Sequence, residues 1–166
     1  SGYKILGKVA STMKRRVADL LKQKEYNNAE QYEVQKYILL LLLSHHSFRT
    51  EPATWLLEPS ETGNTLLRPR GSRRWVVTNR DHKTKRAMGT LKITLNASIS
   101  KALSNYIPKI KKKQKYFLST KTGARMSPSA MSKLVLRTTK HVTGKKIGVR
   151  LGRVLKATAN RDIIAA

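Results

Sequence analysis

Apolar residues recur at helical spacing at the start of the chain. Ile5, Leu6, Val9, Met13, Val17, Leu20 and Leu21 share one side, while Lys4, Lys8, Lys14, Arg15, Lys22 and Lys24 fill the other. The spacing predicts a basic amphipathic helix to about Lys24, broken by Glu25-Tyr26-Asn27-Asn28. A second helix then starts at Asn28, a suitable N-cap, with Glu30 and Glu33 placed where the helix dipole favours negative charge. This helix runs to Leu43 and is apolar nearly all round over Ile38–Leu43, so its C-terminal half belongs in the centre of the domain. It delivers His46-Ser47-Phe48-Arg49-Thr50-Glu51 to a turn, and Pro52 ends any helical continuation.

After that turn the period shortens. Trp55-Leu56-Leu57 reads as a first short strand, and residues 58–64 as a loop. Arg68-Pro69-Arg70-Gly71-Ser72-Arg73-Arg74 is a basic loop, Trp75–Thr78 the strand after it, and Thr90–Leu95 an alternating, half-buried strand. The polar stretch between these two strands makes a hairpin carrying Lys83, Lys85 and Arg86. Asn96 caps a helix through about Tyr106, closed by Pro108, and a basic loop, residues 109–115, carries Lys111, Lys112 and Lys113. Tyr116-Phe117-Leu118 is extended and Thr122-Gly123 turns the chain. Ser127-Pro128 starts a helix whose face is Met131, Leu134, Val135 and Thr138 and whose end is Gly144; Ile147 onward opens a last helix. The expected fold class is mainly α with a small antiparallel β-sheet. Residues 1–27 form an N-terminal helix and linker, and residues 28–166 the main domain.

Charge changes this picture from a fold to a partner. Among 166 residues, 35 Lys+Arg stand against 9 Asp+Glu, a net charge of +26. Such a chain repels itself unless a polyanion is near; nucleic acid is the leading one, with an anionic membrane surface second. The longest apolar run, Ile38–Leu43, is far shorter than the ~18 residues that span a bilayer. With no cysteine there is no disulfide framework and no thiolate chemistry, which fits an intracellular or nuclear protein. His45, His46, His82 and His141 lack metal-ligand spacing, and the acidic residues are too few and scattered for a two-metal nuclease. Tyr106, Tyr116 and Trp75 read as core residues rather than base-stacking platforms. The chain opens Ser-Gly without Met, which reads as an excised piece.

Several cations stand out by placement. Arg49 follows the buried helix, Lys83 lies in the hairpin, and Arg150 and Arg153 are three apart on one helical face. Guanidinium forks match phosphate oxygens and a lysine can give up a proton, so such a set, converging on one phosphate, would neutralise the charge that builds on a pentavalent phosphorus. Each has a plainer reading: Arg49 paired to Glu51 or to a helix C-terminus, Lys83 as one of several solvated hairpin lysines with Lys85 its rival, and Arg153 as a surface arginine.

Four motifs resemble the catalytic domain of tyrosine recombinases. His46-Ser47-Phe48-Arg49-Thr50-Glu51 is similar to the family's first arginine box, and Thr78-Asn79-Arg80-Asp81-His82-Lys83-Thr84 to its β-hairpin lysine motif, in a form resembling recombinases of large DNA viruses and mobile elements. The passage from Phe117-Leu118-Ser119 to Ser127-Pro128, and Lys146–Arg153 as a second box, follow in family order over about Glu30 to Thr158. The resemblance implies a recombinase-like fold that grips double-stranded DNA, associates with itself there and needs no metal or small-molecule cofactor. It implies Arg49, Arg150 and Arg153 on the scissile phosphate, Lys83 as proton donor to the leaving 5′ oxygen, and Arg68, Arg70, Arg73, Arg74, Lys85, Arg86, Lys111, Lys112 and Lys113 along flanking DNA. Arg150 stands where the family usually has histidine, which replaces a proton shuttle by a fixed cation. No tyrosine follows Tyr116, so the implied nucleophile is missing and these residues alone are expected to be inactive. A non-enzymatic packaging or ribosomal-type protein explains the charge as well, and a catalytically dead relative is a third reading.

Overall fold

The computed structural model describes residues 2–80 and 90–149. Helices α1 (Gly2–Arg16), α2 (Ala18–Leu21) and α3 (Asn28–His45) lead into a 3₁₀ turn (Glu51–Thr54). Strands β1 (Thr65–Leu67), β2 (Val76–Asn79) and β3 (Leu91–Thr94) follow, then α4 (Ala97–Ile110) and α5 (Pro128–Thr143). The molecule is mainly helical with one small antiparallel sheet, as the hydrophobic pattern predicts.

Helix α3 is the axis of the core. Val34, Ile38, Leu39, Leu40, Leu42 and Leu43 are all buried, and α1, α4 and α5 pack against this helix. The apolar face of α1 (Leu6, Val9, Ala10, Met13) belongs to the same cluster, so the N-terminal helix is built into the core. It is shorter than its periodicity predicts: the helical stretch breaks at Val17, which is buried, before the single turn of α2. The cap of α3 lies one residue earlier than expected. Asn27 accepts from the Glu30 N–H at 2.8 Å, and the Glu30 carboxylate accepts the Asn27 N–H at 3.0 Å. That reciprocal pair satisfies two otherwise orphaned donors, which a start at Asn28 would leave open.

The sheet order is β1-β2-β3, with Leu66 opposite Val77 and Val77 opposite Ile93 on the inner face. The first strand is Thr65–Leu67, and not Trp55–Leu57 as the apolar triplet predicts. Trp55–Leu57 is extended but pairs only by single bridges: Leu56 with Thr65 and Tyr116, the Leu57 N–H to the Lys115 carbonyl, and the Phe117 N–H to the Trp55 carbonyl. It serves as a buried tie between the sheet and the segment around Tyr116–Phe117.

Helix α4 is capped by Asn96 as expected, yet it continues through Pro108 to Ile110. Proline costs the helix a donor and crowds the preceding turn. Ile107 and Ile110 are both buried, and their burial holds the last turn against that cost. Helix α5 begins with Ser127 accepting from the Ala130 N–H at 3.1 Å and ends at Gly144, whose φ of 79° is the left-handed cap. Beyond it, Ile147 is buried, its N–H and carbonyl both bonded to the Thr139 hydroxyl on α5.

Candidate nucleic-acid interface around Arg49

Arg49 follows directly on a cluster of three packed aromatic rings. Its neighbour Phe48 is buried, edge-on to Trp55 at 4.9 Å, and Trp55 stacks on Phe117 at 5.7 Å. The next residue, Arg49, is exposed. The Glu51 carboxylate accepts the Arg49 backbone N–H at 2.5 Å, which fixes the turn and directs that acid to the main chain. Among the described residues the ion pair formed is Lys36–Glu33, so no carboxylate there neutralises the Arg49 guanidinium. The plainer alternative, a pair between Arg49 and Glu51, does not form.

The same cluster reaches the root of the connection that carries Lys83. Trp55 donates its ring N–H to the Asn79 amide oxygen at 3.2 Å, and Asn79 is the buried last residue of β2. A second chain runs parallel to it. The Thr54 hydroxyl donates to the Glu51 carbonyl, Asn64 donates to that hydroxyl at 2.9 Å, and the Arg80 N–H donates to the Asn64 side-chain oxygen at 2.7 Å. Arg80 also sends its guanidinium to the Gly63 carbonyl at 2.8 Å. Two independent ties therefore hold the Arg49 turn and the exit of β2 in one rigid body. Helix α5, which carries the root of the Arg150–Arg153 segment at Ile147, packs on the 3₁₀ turn as well. Lys83, Lys85, Arg86, Arg150 and Arg153 themselves lie outside the described residues.

The remaining basic positions divide by what they touch. Arg70, Arg73 and Arg74 are exposed on the β1–β2 connection, which Ser72 orders by accepting the Arg74 N–H, with Gly71 in the left-handed region at φ 79°. Arg68 is held: its guanidinium lies 5.9 Å from the Trp75 ring, and both residues donate to the Ser104 hydroxyl. Lys111 and Lys112 are exposed. Lys113 is engaged, donating to the Tyr26 carbonyl, as Lys109 does to the Leu21 carbonyl at 2.8 Å. Burial lowers the Lys109 pKa, the cost of docking this side chain against the α2–α3 connection.

The tyrosines near the core are poor nucleophiles. Burial raises the phenol pKa of Tyr106 strongly, with a smaller contribution from Tyr26, and burial also raises those of Tyr26 and Tyr37. Tyr106 and Trp75 are core residues; Tyr116 is half-buried under the Arg125 guanidinium, 4.1 Å from its ring. Sequence reasoning passed over Arg80 and Arg125, because their partners, Gly63 and Tyr116, come from pairing that no local pattern announces. Among the described residues no helix is long and apolar enough to cross a membrane, and no group of His, Cys, Asp or Glu could hold a metal. No family model, curated protein or solved structure matches the chain.

Proposed function

We propose that this chain is a duplex-DNA-binding domain of the tyrosine-recombinase type, with Arg49 as a fixed phosphate anchor. The observation that supports it is the seat of Arg49. The backbone that presents Arg49, an exposed residue with no described counter-ion, is held on one side by Phe48, whose ring packs on Trp55 and through it on Phe117, and on the other by Glu51. Trp55 ties it through Asn79 to the root of the Lys83 connection. Rigid placement matters because a preorganised cation stabilises charge that develops in a transition state without reorganising at that moment.

In this reading Arg49, Arg150 and Arg153 hold the non-bridging oxygens of one phosphate. A tyrosine hydroxyl attacks phosphorus and loses its proton to solvent, the bond to the 5′ oxygen breaks, and Lys83 gives that oxygen a proton. No tyrosine follows Tyr116, so the attacking group would come from outside these 166 residues. Arg70, Arg73, Arg74, Lys111 and Lys112 would meet flanking phosphates, positioning the duplex without reading its sequence.

The test is strand cleavage by the natural full-length protein on a nicked suicide duplex. Arg49→Ala is expected to abolish the covalent protein–DNA band, lower duplex affinity by no more than one lost phosphate contact, and leave thermal stability nearly unchanged. If wild-type protein gives no band on any substrate, and Arg49→Ala weakens binding only as other exposed cations do, the chain is a non-enzymatic nucleic-acid binder instead.

A further inference from the structure

On another part of the molecule the fold assembles a second basic site. Tyr32, Glu33 and Lys36 lie in the first half of α3, and at 1.5 Å per residue Tyr32 is roughly 20 Å from the end of the helix that leads to Arg49. Together with Arg16 at the end of α1, Lys121 from the 120–124 turn, and Arg137 and His141 on α5, they line a concavity of about 370 Å³. That is the size of a small-ligand pocket and too small for a duplex.

Its centre is the buried Tyr32 side chain. Lys36 lies 5.3 Å and Lys121 5.6 Å from the ring centroid, and Arg137 approaches the phenol oxygen at 3.4 Å. The turn that brings Lys121 is itself fixed. The Thr120 N–H donates to the Ala124 carbonyl, and Gly123, at φ 90°, lies so close to Asn28 that a Cβ there would come within 3.3 Å of its side chain. Four permanent cations thus converge on one concavity with a single carboxylate, Glu33, which is already paired to Lys36 at 2.7 Å. Holding like charges together costs free energy that a multiply charged anion would return, and Arg16 and Arg137 offer the forks that suit phosphate oxygens.

We propose that this pocket binds a compact polyphosphate, the chain of phosphates carried by a nucleoside triphosphate or a similar small molecule, independently of the DNA surface around Arg49. The concavity selects a small ligand over a strand, and cations contributed from several sides select a multivalent anion over a single phosphate. The site escapes sequence reasoning because its residues come from four segments up to 125 positions apart (Arg16 to His141).

The experiment is calorimetric titration of inorganic tripolyphosphate into the intact chain at about 150 mM salt, where distant surface charges are screened. Saturable one-site binding is expected. The Lys121→Gln/Arg137→Gln pair should weaken it at least about tenfold, while Lys92→Gln/Lys101→Gln, which removes the same charge elsewhere, should change it less than about twofold. Glu33→Gln should tighten it. All of these positions except Glu33 are exposed, and the melting temperature of each unliganded variant checks the fold. Equal losses in the two pairs, or no saturable binding, would overturn the site. A parallel titration with duplex DNA separates the sources: unchanged duplex affinity in the pocket pair supports a small-molecule site, and a matching loss would make it part of the nucleic-acid surface and overturn the proposal.

Discussion

Tyr106 shows how single residues in this core can be suboptimal. Its side chain is fully buried and, among the described residues, its hydroxyl has no hydrogen-bond partner. An unpaired buried hydroxyl costs free energy, so Tyr106→Phe is expected to raise stability by about 1 kcal/mol in chemical denaturation at neutral pH. The sign of the pH dependence follows from the same burial. The phenol pKa is raised in the folded chain, so above the ordinary value of 10.0 the unfolded chain releases a proton that the folded one keeps. Stability is therefore lost as pH climbs past 10.0, and Tyr106→Phe should remove part of that alkaline loss. An unchanged alkaline limb would show that the Tyr106 phenol titrates alike in the folded and unfolded chain. Arg49 stands at the opposite extreme, an exposed residue with no described counter-ion.

At the scale of elements, caps decide boundaries that periodicity leaves loose. Asn27 and Glu30 form the reciprocal box at the start of α3, so Asn27→Ala should destabilise by about 1 kcal/mol, with Asn28→Ala costing clearly less in the same denaturation series. Reversed magnitudes would move the cap to Asn28. Gly144 makes a parallel case: its φ of 79° closes α5, and Gly144→Ala should cost about 1 kcal/mol because a Cβ is strained there. Much of this level was legible in the sequence. Asn96, Ser127-Pro128 and Gly144 were all assigned correctly, since capping is a local matter of side chain to nearest N–H. What failed was local pattern without its partner. Trp55–Leu57 is apolar and β-branch-free, and its environment makes it a tie and not a strand; Thr65–Leu67 became a strand because β2 lies beside it. Pro108 signals a helix end, and the buried Ile107 and Ile110 override it.

For the whole molecule, the net charge of +26 makes salt the controlling variable of any nucleic-acid complex. The logarithm of duplex affinity should fall linearly with the logarithm of salt concentration, by close to one unit of slope per phosphate neutralised. Removing Arg70 and Arg73 together should shallow that slope by about 2 without changing discrimination among sequences, as fluorescence anisotropy across a salt series can read. An unaltered slope would take the β1–β2 connection off the DNA. By itself the sequence determined the helical periods, most caps, the buried centre of α3, the net charge of +26 and the order of the candidate cations along the chain. These properties depend on composition and on residues within one turn of each other. Only the tertiary structure decided that the Glu51 carboxylate holds the Arg49 backbone, that Trp55 links that turn to Asn79, that Lys113 is engaged with Tyr26, and that Arg16, Lys36, Lys121 and Arg137 share a pocket. Those facts depend on contacts between residues distant along the chain, and packing around α3 creates these with no trace in any local pattern.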